Sequence, residues 1–385
     1  MDTLFFQQSI NAISLGAIYA LFALGYALVF SILGVLNLAH SAIFMWGAFI
    51  GLLAMDSDTG TPYLIAAYVV AVPLFIIWLI AFGRLYSRVN DENTAANTRG
   101  MYMLALIFVS VVLLAVTIAG FDAVYAFFAA RTAGGNPVII TPLVGVVLAM
   151  FGAGLLSVVL EFAAFRPLRA RNAARMAQLI SSIGAALLLV NIAQLIFQQI
   201  YNRTEAYYPR DIRILPFVPT DTLEFGDLRV APIRIVILVV ALVMMVLLQY
   251  LVQRTQAGQQ MRAVAFSQRI AALLGIHVSR VYVLTFFLAG ALGGAAGMLY
   301  GLAFLNVTPF IGERIALTGL TAIVLGGLGS IQGAVLGGFI VAGLQTASTA
   351  AGGSSYRDAI VFILLFLVLL VRPQGLLGQP ENTRA

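Results

Sequence analysis

Residues 254–280, RTQAGQQMRAVAFSQRIAALLGIHVSR, decide how the rest of the chain is read. They include Arg254, Arg262, Arg269, Arg280 and His277, and no Asp or Glu. An apolar run precedes them (233–252) and another follows (281–303), each long enough to cross a ~30 Å hydrocarbon core. The stretch is therefore a basic loop held between two membrane crossings. Residues 261–274 are helix formers without Pro or Gly, which predicts a helix. Gly275 stands where a left-handed residue would end it. Val264, Ser267, Ala271 and Leu274 share a small, weakly apolar face, and Arg262 and Arg269 come close on the helix surface. Two readings suit these residues equally: a short helix that docks into a groove on a soluble partner, or a solvated linker whose arginines only fix topology.

Working outward, the composition supports the membrane setting. The chain has 385 residues, 62% hydrophobic and 9% charged, too little charge to cover a soluble domain. Repeated apolar runs predict an all-α polytopic membrane protein with about 9–11 crossings, some of them broken or re-entrant. Spans are expected at 10–36, 63–82, 101–120, 142–165, 176–200, 233–252, 281–303, 331–350 and 359–371. The shorter apolar stretches 42–55 and 311–330 lie beside breaks at Asn37–His40 and in a glycine-rich run. Residues 1–9 read as a polar lead-in, and 201–232 as the longest polar loop. No cleavable leader is expected, because the N-terminus lacks a basic region and its apolar run is too long.

The chain has no cysteine and no lysine; all 21 basic residues are arginine. Disulfides, thiol nucleophiles and Cys-based metal sites are excluded. So is a GxxxxGK[ST] phosphate loop. The arginines are scattered over short loops, which does not suit nucleic-acid binding. Placing 253–280 in the cytoplasm and alternating outwards puts Arg84, Arg88, Arg99, Arg166, Arg169, Arg171, Arg175, Arg254, Arg262, Arg269, Arg280, Arg372 and Arg384 inside. Most acids then fall outside, which satisfies the positive-inside rule. The N-terminus is expected outside and the 372–385 tail inside.

Polar residues within spans mark candidate sites. Ser181, Gly184, Asn191, Gln194 and Gln198 form a stripe that suits either a solute pathway or hydrogen bonding to a neighbouring helix. Asn37 and His40 could line a vestibule at a helix break or serve as satisfied structural residues. Thr318, Thr321 and the glycines up to Ser330 suit close packing against a partner subunit, or solute contact. Residues 290–301 read as a packing stripe. Glu161 is expected to pair with Arg166 or Arg169. Acids and histidines do not cluster, so no catalytic or metal site is expected.

Five stretches resemble the permeases of branched-chain amino acid ABC transporters: YALFALGYALVFSILGVLNLAHSAIF (19–44), EFAAFRPLRAR (161–171), RAVAFSQRIAALLGIHVSRVYVLTFFLAGALGGAAGMLYG (262–301), TAIVLGGLGSIQGAVLGG (321–338) and VLLVRPQGLLG (368–378). The resemblance implies an ABC importer permease fold in a bacterial inner membrane, within a transmembrane domain of 1–371. It implies a second homologous permease (or a second copy of this chain), two ATPase subunits that carry ATP and Mg, and a periplasmic binding protein. No cofactor is expected on this chain. Residues 253–280 become the cytoplasmic coupling loop, with Arg262, Gln268, Arg269, Ala271, Leu274 and Gly275 meeting the ATPase. Asn37, His40, Asn191, Gln194, Thr318 and Thr321 become candidates for the translocation path.

The pattern departs from the family in places. Residues 56–141 read as an insertion adding two spans. Ile270, Gln345, Thr318 and Ser41 stand where an acid, Glu, Lys and Gly are common. The implied cargo is a branched-chain or neutral amino acid. A permease for urea or short amides within the same family is the alternative, and an ion-coupled secondary transporter or an intramembrane enzyme is more distant.

Overall fold

A computed structural model describes residues 2–56, 142–171, 173–203, 205–209 and 231–378, two short strands at 223–230, and isolated positions between 101 and 126. The expected spans at 63–82 and 101–120, and most of the 56–141 stretch, lie outside the described residues. The chain divides into two compact units, Met1–Leu52 with Thr141–Ala385, and Leu53–Ile140. The first carries the bundle and the basic loop.

Its helices are α1 (Asp2–Leu33), α2 (His40–Met55), α3 (Pro142–Ala170), α4 (Arg175–Tyr201), α5 (Pro232–Arg254), α6 (Gln256–Phe266), α7 (Gln268–Leu273), α8 (Val278–Phe304), α9 (Ile311–Gly326), α10 (Ile331–Ala350) and α11 (Arg357–Val371). Among the described residues, α1, α3, α4, α5, α8 and α10 are long and apolar enough to span a membrane. The expected polar lead-in is helical too, forming the first turns of α1 from Asp2.

Helix α1 is apolar all round because it is enclosed all round. In its most apolar window 83% of the residues are buried, against 22% for α4, so α1 is central and α4 peripheral. It packs along α10, α8, α5 and α9. Without a hydrophobic drive between helices in lipid, such packing rests on backbone approach and dispersion. The glycines supply the approach. A Cβ on Gly297 of α8 would lie 1.9 Å from the Phe44 carbonyl of α2, and one on Gly294 would lie 2.5 Å from the Ala149 carbonyl of α3. The 290–301 stripe is thus a double packing face, with Gly290 and Gly294 towards α3 and Gly297 towards α2.

Of the 318–330 glycines, expected against a partner subunit or a solute, three meet this same chain, and Gly329 has open space around it. Gly319 abuts Phe22 of α1, Gly326 meets Gly333 of α10, and Gly327 meets Gly378. The start of the expected polar tail is also docked: Leu376 and Leu377 donate their backbone N–H groups to Leu325 and Gly326 at 2.9 and 2.8 Å.

Two features of the polar loops escaped the sequence. Strand β1 (Ala206–Tyr207) pairs antiparallel with β4 (Asn306–Val307), tying the segment after α4 to the end of α8. Strands β2 (Leu223–Phe225) and β3 (Leu228–Val230) make a small hairpin. Tyr208 follows β1, and its hydroxyl donates to the Ala48 carbonyl at 2.7 Å; burial pushes the phenol well above its ordinary range.

Candidate functional site

The basic loop is two short helices rather than one. Ser267 adopts an extended conformation (φ −160°, ψ 115°) between α6 and α7, and its hydroxyl accepts from the Ile270 N–H as an N-cap. A serine mid-pattern is a poor helix residue and a good cap, which the expected unbroken helix over 261–274 overlooked. The end is as expected. Gly275 has φ +81°, the Gly275 N–H reaches the Ala272 carbonyl at 3.1 Å, and the Ile276 N–H reaches Ala271 at 3.0 Å. That double closure is a Schellman motif.

The expected small, weakly apolar face is split by this kink. Val264 and Ala271 are buried with Met261, facing the bundle. The outward side is apolar: Phe266, Ile270, Leu273 (81% exposed) and Leu274 (74% exposed) lie on it, beside exposed Gln268 and Arg269. Arg262 turns back to donate to the Val252 carbonyl at the end of α5. It braces the loop, as does Thr255, which caps α6 by accepting from Gly258 N–H at 3.2 Å. Of the residues assigned to coupling, Gln268, Arg269, Leu274 and Gly275 are thus exposed together, Ala271 is a buried packing residue, and Arg262 is tied to its own chain.

Just above this loop α3 widens for one turn, Glu161–Phe165, with an i→i+5 bond from Arg166 N–H to the Glu161 carbonyl. Such π-turns concentrate at functional places. Glu161 is fully buried and pairs with Arg169, the sole ion pair among the described residues. The Arg169 guanidinium lies 3.6 Å from the centre of the Tyr282 ring on α8. Arg166, the other expected partner, sits over Phe162 instead.

The path candidates separate into three places. Asn37 and His40 are buried at the joint between α1 and α2. Gly34 turns the chain at φ +65°, Asn37 Oδ1 accepts from Ala39 N–H at 3.2 Å, and α2 begins at His40. The imidazole stacks on Phe22 at 5.0 Å and meets Tyr26 edge-on at 4.9 Å, with Nε2 3.3 Å from the Phe22 carbonyl. A Cβ at Gly25 or Gly293 would fall 2.4 or 2.8 Å from the ring. His40 is thus wedged between α1 and α8 at the start of α2, and its Nδ1, like the Asn37 amide nitrogen, is buried without a hydrogen-bond partner among the described residues. Asn191 and Gln194 lie on peripheral α4; Asn191 is exposed and donates to Leu187 of its own helix at 2.7 Å. Thr318 and Thr321 are buried and bond back to the Arg314 and Leu317 carbonyls at 3.3 and 2.8 Å. They line a cleft of about 60 Å³ with Gln345 and Asp358.

A buried polar network that sequence reasoning did not single out sits at the end of the bundle away from the basic loop. Tyr19 donates to Gln345 Oε1 at 2.9 Å. Arg357 donates to the same oxygen at 2.8 Å and to the Tyr19 hydroxyl at 3.1 Å. Gln345 Nε2 donates to Asp358 at 3.3 Å. The available signal was Gln345 and Arg357, polar groups interrupting or opening apolar helices. Among the described residues no group of His, Cys, Asp and Glu could hold a metal ion.

The comparisons agree with this architecture. The family model described as branched-chain amino acid transport system / permease component matches residues 9–129 and 99–369. The chain is 29% identical over 388 residues to the high-affinity branched-chain amino acid transport system permease protein LivH of Escherichia coli, covering 98% of this chain and 96% of that one. It is 29% identical to the corresponding BraD of Pseudomonas aeruginosa, covering 98% and 97%. A shorter match, 31% over 138 residues, joins 34% of this chain to 43% of the ribose import permease protein RbsC of Bacillus subtilis. No solved structure matches. A bundle of membrane-length helices matched along nearly its whole length therefore places this chain in the branched-chain amino acid transport system permease family.

Proposed function

We propose that the chain is the permease subunit of an ATP-driven importer of branched-chain or other neutral amino acids in a bacterial inner membrane. A periplasmic binding protein delivers the cargo, and two separate ATPase subunits carry ATP and Mg. The observation that carries this reading is the outward apolar patch of Phe266, Ile270, Leu273 and Leu274 on α6 and α7. A patch of large side chains on a firmly capped loop suits a groove on a soluble partner, and the solvated-linker reading gives no reason for it. The loop then faces the cytoplasm, the N-terminus the periplasm. ATP-driven closure of the partner displaces α7, and the bundle shifts between two arrangements.

The polar outer face of α4, with exposed Asn191 and Gln198, is costly against lipid. It is assigned to the boundary with a second permease, or a second copy of this chain, where the path runs. A secondary transporter would need an acid to bind a coupling ion; Glu161 is already paired with Arg169, which leaves Asp358 as the described acid on a cleft within the bundle.

The test is uptake in the source organism. Deletion of the gene should abolish uptake of labelled leucine, isoleucine or valine and leave urea uptake unchanged. Loss of urea uptake alone would move the cargo to the amide class. Leucine uptake that survives ATP depletion but stops on collapse of ion gradients would sink the ATP-driven reading.

A further inference from the structure

A cavity of about 230 Å³ opens among α1, α5, α8, α10 and α11, lined by Asn11, Ser14, Arg234, Thr346, Thr349 and Arg357 among others. Arg234 opens α5 and the basic loop follows its far end. At 1.5 Å per residue the two lie about 30 Å apart. The cavity is therefore at the opposite end of the bundle from the loop assigned to the ATPase, where cargo arrives.

Its charge is one-sided. Two guanidinium groups border it, and no Asp or Glu is among its described lining residues. The nearest acid of the network, Asp358, is bound by Gln345 and lines the neighbouring cleft. Arg234 is held by Asn11. Arg357 is held through its Nη2 by Tyr19 and Gln345, and its buried Nε has no partner among the described residues. Each guanidinium offers five N–H donors, so both retain capacity for an anion. Neutral oxygens hold both in place, and the carboxylate of Asp358 lies on the neighbouring cleft rather than in this one.

The other wall has the opposite character. The hydroxyls of Thr346 and Thr349 donate to the Ala342 and Gln345 carbonyls, both at 2.8 Å. With their protons committed, both present only lone pairs outwards. Ile18 and Phe304 complete the lining with apolar surface.

We propose that this cavity is a recognition site for a zwitterionic amino acid. Arg234 and Arg357 receive its α-carboxylate, Thr346 and Thr349 its α-ammonium, and Ile18 and Phe304 its aliphatic side chain. The inference rests on the import reading and deepens it, because urea and short amides carry no carboxylate for two arginines to bind.

The chain's lack of cysteine gives a direct test on the full chain in phosphatidylcholine nanodiscs. Ala303→Cys puts one thiol in the cavity wall, at a lining position given no contact with the cargo. An anionic methanethiosulfonate should modify it about tenfold faster than a cationic one of similar size; Arg234→Gln should reduce that preference, and Arg234→Gln combined with Arg357→Gln should erase it. Millimolar leucine should protect the thiol and leucinamide should not. The loss of a charge-assisted contact in Arg234→Gln or Arg357→Gln should weaken leucine protection by about 10- to 100-fold. Equal rates for the two reagents would overturn the proposal. So would an anionic preference without leucine protection, which would assign the arginines to a carboxylate on a docked protein. Arg357→Lys, keeping the charge, should retain part of the protection and guards against misfolding of the Gln variant.

Uptake separates this site from the wider reading. If deletion of the gene leaves leucine uptake intact, the import reading fails. If deletion abolishes uptake while Arg234→Gln and Arg357→Gln transport leucine with unchanged KM, only the site fails.

Discussion

Removal of the Glu161 carboxylate should be among the most damaging single changes outside the glycine contacts. In Glu161→Ala the Arg169 guanidinium keeps its place, with a side chain only 17% exposed, and loses its sole ionic partner. Breaking a buried pair from one side costs about 3–5 kcal/mol, because a charge is left uncompensated. The ring of Tyr282, 3.6 Å from the guanidinium carbon, returns part of that, about 0.5–2 kcal/mol. A net loss of roughly 1–4.5 kcal/mol results. Removing both charges should cost less than removing the acid alone, since an apolar replacement of a whole pair is often neutral or better.

The assay is a double-mutant cycle with Glu161→Ala, Arg169→Leu and the pair, unfolded reversibly in mixed micelles. Trp46 is a suitable reporter, because its Nε1 donates to the Leu189 carbonyl at 3.2 Å across α2 and α4. A coupling above about 1.5 kcal/mol is expected for groups in direct contact. A Glu161→Ala loss under about 1 kcal/mol, or strict additivity, would mean that water reaches the pair and the reasoning is wrong.

The packing and the loop carry further expected outcomes. Gly275→Val forces a β-branched residue to φ +81° with nothing within 4 Å of its Cβ; the penalty is torsional, about 1–2 kcal/mol. In the assembled complex ATP hydrolysis should continue while uptake falls severalfold, read from parallel phosphate-release and transport rates. Leu273→Arg changes a side chain that is 81% exposed, so co-purification with the ATPase should be lost while the melting temperature of the isolated chain stays within a degree or so. Gly297→Ala should cost at least about 1–3 kcal/mol by overpacking, since its Cβ would lie 1.9 Å from the Phe44 carbonyl. Gly184→Ala, with open space around the new methyl, should be neutral or stabilising by up to about 1 kcal/mol. Thermal melts of the two variants side by side test the glycine map.

Much of the bundle was legible because its signals are local. Apolar length placed the described long spans to within a few residues, and Asn37–His40 marked the joint after α1, because in lipid a freed backbone must be satisfied on the spot. Gly275 ended its helix for the same kind of local reason. The failures share a different cause. Ser267 suits a cap better than a helix interior, but its neighbours are all good helix formers, and whether it would continue one helix or cap the next decided which side chains face out. Periodicity grouped Val264 with Leu274, whereas the kink at Ser267 sends them to opposite sides. The polar stripe on α4 could be seen, but not that α4 is peripheral. The Tyr19–Gln345–Arg357 network joins residues more than three hundred positions apart, which no single-chain pattern encodes. Likewise the glycines of 319–327 announced close approach without naming α1, α10 and residues 375–378 as what they approach.

The backbone-to-backbone seating of α8 against α2 and α3 has a mechanical consequence. Where carbonyls occupy the space a methyl would need, as at Gly294 and Gly297, there is no slack for sliding or for a rotamer to absorb a push. Those three helices must travel as a single block. Since α8 starts three residues after Gly275, a tug on the loop arrives in that block undiminished. The yielding seams are then the sparsely enclosed outer helices, α4 and α5, and a gate that opens and shuts should be hinged there.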